Sequence, residues 1–256
     1  MKRLLFAAAV VSAALGAFAA APANAILDGK PDNGAHPMVG AAFWQDREGN
    51  NYLCSGTKIS EFRFLTAAHC FPPGVEVLLF FGDSLAAGPS MAGIFRPYDG
   101  WCPGCSGGVP GIDKDDVAIV QTFGPMPEPY GELPELGFND RLGKRQKVVS
   151  VGYGLQVRPK DFAGQIGERR WVEQSVVPGH GVLSREYLKL SAAQGGVCAG
   201  DSGGPSFVGD TIAAITSFSV NPNCAGVTYS QRIDIPSMLG FISSVPNAPA
   251  APPPGP

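Results

Sequence analysis

The sequence predicts an all-β protein in two halves. Charged residues make up only 16% of the chain and 34 of its 256 residues are glycine, a balance that suits a turn-rich exported β protein better than a helical one. The apolar runs are short and bounded by turn signals, with no regular alternation of strands and long helices. Pro125, Pro127, Pro129 and Pro134 crowd one central stretch, where repeated prolines break regular structure. A chain of this length holds one large domain or two small ones, and the proline-rich break favours two.

The chain opens with Met1-Lys2-Arg3, and residues 4–20 are apolar and rich in alanine. Ala23-Asn24-Ala25 fits the small-x-small cleavage rule, so residues 1–25 read as a signal peptide. The apolar run is near the length of a membrane anchor, but its alanine content and the cleavage signal favour removal. No later segment is long and apolar enough to span a bilayer, so the expectation is a secreted protein without stable membrane insertion. Cleavage removes Lys2 and Arg3 and no acid. The 19 basic residues become 17 against 22 acidic ones, a formal charge of −5, which argues against nucleic acid as the main partner. Six cysteines in an exported chain read as three disulfides, with fifteen connectivities open to counting alone.

Taken in order, residues 38–44 read as a first strand, after a loop holding His36. Residues 54–60 and 62–67 read as two strands around a turn, and 75–81 as another, ended by Gly82-Asp83. Asp113, Asp115 and Asp116 form an acidic knot before an apolar run, read as solvated carboxylates rather than a calcium site. Residues 126–137 are the linker between a first half at 26–125 and a second at 138–245. Strand character resumes at 147–153 and again at 168–177. His180 falls in a Pro-Gly-rich loop and carries no motif. Residues 211–219 form an apolar strand, and 235–245 a terminal helix whose first turn accommodates Pro236. The Pro/Ala-rich tail, 246–256, reads as disordered or extended.

The chemistry is concentrated in Cys198-Ala199-Gly200-Asp201-Ser202-Gly203-Gly204-Pro205. A serine hydroxyl is a weak nucleophile near neutral pH and needs a base and an oxyanion site. The flanking glycines permit a tight turn, and the N–H groups of Gly200 and Ser202 are the candidate oxyanion donors. Thr66-Ala67-Ala68-His69-Cys70 supplies a histidine, and Asp116-Val117-Ala118-Ile119-Val120 a carboxylate. Gly200, Ser202 and Gly204 also satisfy Gly-x-Ser-x-Gly, the turn of α/β-hydrolases. Those enzymes place the acid and the histidine after the serine, whereas His36, His69 and His180 all precede Ser202.

These segments together resemble the trypsin/chymotrypsin family of serine endopeptidases over residues 26–245. The resemblance implies two packed antiparallel six-stranded β-barrels with a short C-terminal helix and the site in the cleft between them. It implies His69, Asp116 and Ser202 as catalytic, with Asp116 rather than Asp115 because Asp116 directly precedes the apolar run. It implies disulfides Cys54–Cys70 and Cys198–Cys224. Trp101-Cys102-Pro103-Gly104-Cys105 departs from the family's core pattern. With the other cysteines committed and no redox fold or further zinc ligands, Cys102–Cys105 reads as a small local disulfide. Tyr153 and Phe218 stand where tryptophan is usual, and Ser217 matches the serine that supports the triad aspartate. The substrate pocket is assigned to Gly196, Val197, Ser217 and Ser219. With Gly196 rather than an acid at its base, it favours an uncharged, apolar residue before the scissile bond. Ile26 and Asp201 match an activation pair between a new terminal amine and the aspartate before the serine. Ile26 follows the leader directly, so export itself is expected to release it. Protein or peptide substrates are implied, a protein inhibitor stays open, and a monomer without cofactor or metal is expected. The competing reading is a catalytically inactive protease-fold binding protein.

Overall fold

A computed structural model describes residues 26, 29–104, 113–156, 166–178, 185–193, 195–221 and 223–251. The leader, Cys105 and His180 lie outside the described residues. The architecture is two closed six-stranded antiparallel β-barrels. The first contains β2 (Val39–Gln45), β3 (Asn51–Ser60), β4 (Arg63–Thr66), β5 (Glu76–Phe80), β6 (Met91–Pro97) and β7 (Ala118–Thr122), closed in the order β2-β3-β4-β7-β6-β5. The second contains β8 (Lys147–Gly152), β9 (Arg170–Val176), β10 (Tyr187–Ser191), β11 (Pro205–Val208), β12 (Thr211–Ser219) and β13 (Val227–Arg232). Its order, β8-β9-β10-β13-β12-β11, repeats that of the first barrel strand for strand, and β8 pairs with β9 to close it.

Alternation of inward and outward side chains is clearest in β9. Arg170, Val172, Gln174 and Val176 are buried, while Trp171, Glu173 and Ser175 are half-buried or exposed. Gln174 is tolerated inside because its amide is bonded: Ser150 Oγ donates to it at 2.8 Å, and its Nε2 donates to Thr228 Oγ1 at 3.2 Å. Ser206 links Ser150 (3.2 Å) to Ser230 (3.3 Å), so part of this barrel's interior is a polar ladder rather than an apolar core.

The chain's two ends exchange barrels. Near the N-terminus, β1 (Lys30–Pro31) pairs with β9 of the second barrel. Near the C-terminus, α1 (Pro236–Ser244) seats Met238 and Ile242 in the cluster that includes the first barrel's core. Arg63 of β4 donates to Ile242 O at 3.0 Å, and Phe241 lies 5.3 Å from Tyr98 between ring centroids. Pro236 occupies the first turn of α1, where a missing N–H costs nothing. The tail, described as far as Ala251, packs on the first barrel. Gln121 Nε2 donates to Ala248 O at 2.8 Å, Ala250 N donates to Thr122 O at 2.8 Å, and Asn247 Oδ1 accepts from Ser60 and Phe62. The proline-rich linker also packs closely: Gly131 N donates to Lys58 O, and Ile212 N to Glu132 O, at 2.8 Å each.

A buried guanidinium fastens the two barrels and the N-terminal segment together. Arg169 Nε donates to Asp32 at 2.8 Å, Nη1 to Val39 O and Phe81 O at 3.0 Å and to Tyr153 Oη at 3.2 Å, and Nη2 to Asp83 at 2.5 Å. Asp32 also accepts from His36 Nδ1 at 2.5 Å, and His36 stacks on Phe207 of β11. His36 is thus a structural member of the junction.

Candidate active site

His69 lies in a 3-10 turn, Ala68–Cys70, directly after β4. Ala67 and Ala68 are fully buried, and their small side chains let the turn press into the barrel junction. The Cys54–Cys70 disulfide ties the turn to β3, and Thr66 Oγ1 donates to Ser55 O at 2.8 Å. Asp116 precedes β7. Asp115 adopts a left-handed conformation (φ 55°) and accepts from Val117 N, a tight turn that precedes the fully buried Asp116.

Asp116 Oδ1 accepts from His69 N at 2.9 Å, and Oδ2 accepts from His69 Nδ1 at 2.7 Å and Ser217 Oγ at 2.5 Å. Burial alone would raise the Asp116 carboxyl, but the His69 charge and the His69 and Ser217 hydrogen bonds outweigh it and hold the group below its ordinary value. Burial would lower His69. The charge and hydrogen bond of Asp116, then the charge of Asp113, outweigh that and raise it. With Nδ1 engaged, the other ring nitrogen is left for proton transfer.

Ser202 sits on a turn bounded by Gly200 (φ 93°) and Gly203 (φ 78°), both in the left-handed region that glycine reaches without strain. A Cβ on Gly203 would fall 2.1 Å from Thr66 Oγ1 and 2.7 Å from Ala67 N, so only glycine lets the serine turn lie against the histidine turn. Ser55 joins the barrels here: its N donates to Ser202 O at 2.8 Å and its Oγ to Gly200 O at 2.9 Å. Among the described hydrogen bonds, neither Gly200 N nor Ser202 N is donated to a protein acceptor, as an oxyanion site requires. None joins His69 to the Ser202 hydroxyl, a contact that commonly tightens only when substrate binds.

Asp201 is fully buried and accepts from Cys198 N and Gly154 N at 2.8 Å each. Burial pushes its carboxyl up to about 7, because these two amides only partly offset the lost hydration. Ile26 is also fully buried, but its nitrogen forms the peptide bond to Ala25 and carries no charge. Among the described residues Asp201 has no cationic partner.

Beside Ser202 opens a pocket of about 210 Å³, lined by Val197, Cys198, Ala199, Thr216, Ser217, Phe218, Ser219, Asn221 and Cys224. Cys198–Cys224 closes one side. Among the described residues no charged side chain lines it. Val197, Ser217 and Ser219 are among its lining residues. Gly196 is not in the lining: its hydrogen faces Ala192, whose Cβ would meet a Cβ at Gly196 at 2.5 Å. Sequence reasoning missed Asn221 and Thr216 in the pocket. It also missed Ser55 under the serine turn and Gln231, whose Oε1 accepts from Asp116 N at 3.2 Å. None of these carries a motif. Cys102 is disulfide-bonded, and Cys105, its expected partner, lies outside the described residues. Among the described residues, the His/Cys/Asp/Glu groupings close enough to hold a metal are Cys54–His69–Cys70 and His69–Asp113–Asp116. The first is occupied by a disulfide and in the second His69 Nδ1 is already bonded to Asp116, so neither reads as a metal centre.

The family model described as Trypsin matches residues 27–239. Serine protease SP24D of Anopheles gambiae is 24% identical over 184 residues, which cover 68% of this chain and 65% of that protein's length. Among solved structures, HL collagenase superposes with a TM-score of 0.67 at 16% identity, covering 82% of this chain and 93% of that one. A scabies mite inactivated protease paralogue superposes with a TM-score of 0.62 at 20% identity, covering 85% and 97%. These two structural likenesses bear on the fold alone.

Proposed function

The chain belongs to the trypsin family, and we propose that it is a secreted serine endopeptidase cleaving after an uncharged, apolar residue. The observation that carries the reading is the hydrogen-bonded series Ser217–Asp116–His69, seated against the turn that presents Ser202. Ser202 Oγ attacks the substrate carbonyl and passes its proton to His69, whose imidazolium Asp116 stabilises. The N–H groups of Gly200 and Ser202 hold the oxyanion, a donor of this kind being worth about 10²–10³ in kcat. Collapse expels the amine with the proton from His69. Water, deprotonated by His69, then hydrolyses the acyl-enzyme. The uncharged pocket cannot offset the cost of burying a lysine or arginine side chain. Secretion is supported by the leader-like first 25 residues and the disulfides. Among the described residues no helix is long and apolar enough to cross a membrane.

Ile26 and Asp201 are proposed as the activation pair: an amine released at Ile26 would supply the cation that the buried Asp201 lacks. Proteins and peptides are the proposed substrates, and a protein inhibitor a proposed regulator. The deciding experiment is labelling with a serine-directed phosphonylating reagent. Modification of Ser202, abolished in Ser202→Ala, is expected. A correctly processed protein that takes no label would establish the inactive binding protein instead.

A further inference from the structure

One charged group beside the triad has no part in the mechanism so far. Asp113 lies three residues before Asp116, and His69, Asp113 and Asp116 each offer one nitrogen or carboxylate oxygen within 4.8 Å of the others. The placement of Asp113 is built rather than incidental. Cys102 and Lys114 exchange both backbone hydrogen bonds, Cys102 N to Lys114 O at 3.2 Å and Lys114 N to Cys102 O at 3.0 Å. Beside that bridge Gly104 N donates to Asp113 Oδ1 at 3.0 Å, which fixes the carboxylate. From the second barrel, Tyr187 Oη donates to Asp113 O and fixes the backbone. Tyr187 is itself held edge-on against Phe218 and Tyr229. The Trp101-Cys102-Pro103-Gly104 segment, which the family pattern does not explain, therefore acquires a task.

We propose that Asp113 is a positioning residue acting on His69: a second carboxylate, held beside the Cys102–Lys114 bridge, that stabilises the imidazolium formed when Ser202 is deprotonated. The proposal rests on the hydrolytic reading of His69. An opposite charge at this range favours the charged form of the ring, and the raised position of His69 has Asp113 among its causes, after Asp116. The other charged groups nearby are Lys114, Asp115 and Glu186: Lys114 Nζ lies 3.8 Å from Asp115 and 4.0 Å from Glu186, one cation shared between two carboxylates that burial pushes up. The consequence for the reaction is a stronger base whose working range is displaced toward alkaline pH.

The test reads the ring itself. In a Ser202→Ala background, which cannot turn over, the His69 Cε1–H resonance is followed by NMR against pH. Asp113→Asn keeps the acceptor for Gly104 N and removes only the charge. His69 is expected to titrate about half a pH unit to one pH unit lower in Asp113→Asn, and Asp113→Glu to restore the parent value. In the Ser202 enzyme the acid limb of kcat/KM should move by the same amount. A His69 titration unchanged in Asp113→Asn overturns the proposal, as does Asp113→Glu behaving no better than Asp113→Asn. The NMR result does not need activity, so a failure of hydrolysis would count against the peptidase reading alone.

Discussion

Ser217 Oγ and His69 Nδ1 donate to the same oxygen of Asp116, at 2.5 Å and 2.7 Å. One carboxylate oxygen thereby ties a strand of the second barrel to the histidine turn of the first. In Asp116→Asn, an amide nitrogen in that place would face two donors or force the imidazole into the other tautomer. The expected loss is about 10⁴ in kcat with the fold retained. Ser217→Ala removes one hydrogen bond to a charged group, about 1.5–3 kcal/mol, or roughly 10–100-fold in kcat. Initial rates normalised by active-site titration measure both, and equal losses in the two variants would contradict this division of roles.

The pH profile follows from the directions of the two pair members. Only neutral His69 accepts the serine proton, so kcat/KM should rise with pH to a midpoint above the ordinary histidine value of 6.5. For stability, the raised His69 contributes fully below its unfolded value and loses that contribution as pH rises through its folded one. Asp116, held low, contributes above its unfolded value of 3.8 and loses it as pH falls. The pair therefore supports the fold best between roughly 4 and 6.5, and its contribution declines as pH rises from there through the folded value of His69. Rates and denaturant midpoints across pH 4 to 9 check both statements; a rate flat from pH 5 to 8 would be incompatible with His69 as base.

Asp201 behaves in the opposite sense. Its folded carboxyl sits at about 7, above the unfolded 3.8. The protonated group costs nothing extra below the unfolded value, and stability is lost as pH rises through the folded one, by a total on the order of 4 kcal/mol. That loss belongs to a chain in which Ile26 remains in peptide linkage. A free Ile26 amine paired with Asp201 should abolish it. Melting temperatures of residues 26–256, with Ile26 free or preceded by one extra residue, should diverge between pH 4 and 7. Parallel curves and equal activities would rule the amine switch out.

Position 196 lies outside the pocket lining and resists conversion: the Cβ of an aspartate introduced at Gly196 would meet Ala192 Cβ at 2.5 Å, and neither atom is the end of a flexible side chain. Gly196→Asp is expected to destabilise by about 1–3 kcal/mol through overpacking and to gain no basic preference. Ala192→Gly with Gly196→Asp should relieve the clash. Peptide-library profiling with thermal melts separates the two outcomes.

The local motifs made the site legible. Thr66–Cys70 and Cys198–Pro205 place histidine and serine on turns whose small residues have evident steric reasons, and the order of histidine, aspartate and serine along the chain excludes the α/β-hydrolase arrangement. Strands with an apolar rhythm, β2, β5, β8, β9 and β12, were also readable. In β13, by contrast, Ser230, Gln231 and Arg232 are all buried. A polar buried run has no hydrophobic period, and while Arg232 is bonded locally to Asp234, the partners of Ser230 and Gln231, Ser206 and Asp116, come from other segments. Arg169 and Asp32 are 137 residues apart, and nothing local announces their pairing. The composition of the terminal tail reads as disordered or extended, and does not encode the donor and acceptor that its backbone finds on β7.

The exchange of ends has a consequence for how the molecule comes apart. A cut between Thr122 and Lys147 would leave one fragment carrying β1, whose partner strand is in the other fragment, and a second carrying α1, whose seat is on the first. Neither described disulfide spans such a cut: Cys54–Cys70 lies before it and Cys198–Cys224 after it. The halves are clasped like two hands, each gripping the other's wrist. A nicked molecule should therefore migrate as one particle until it is denatured, and two fragments made separately should be able to complement each other.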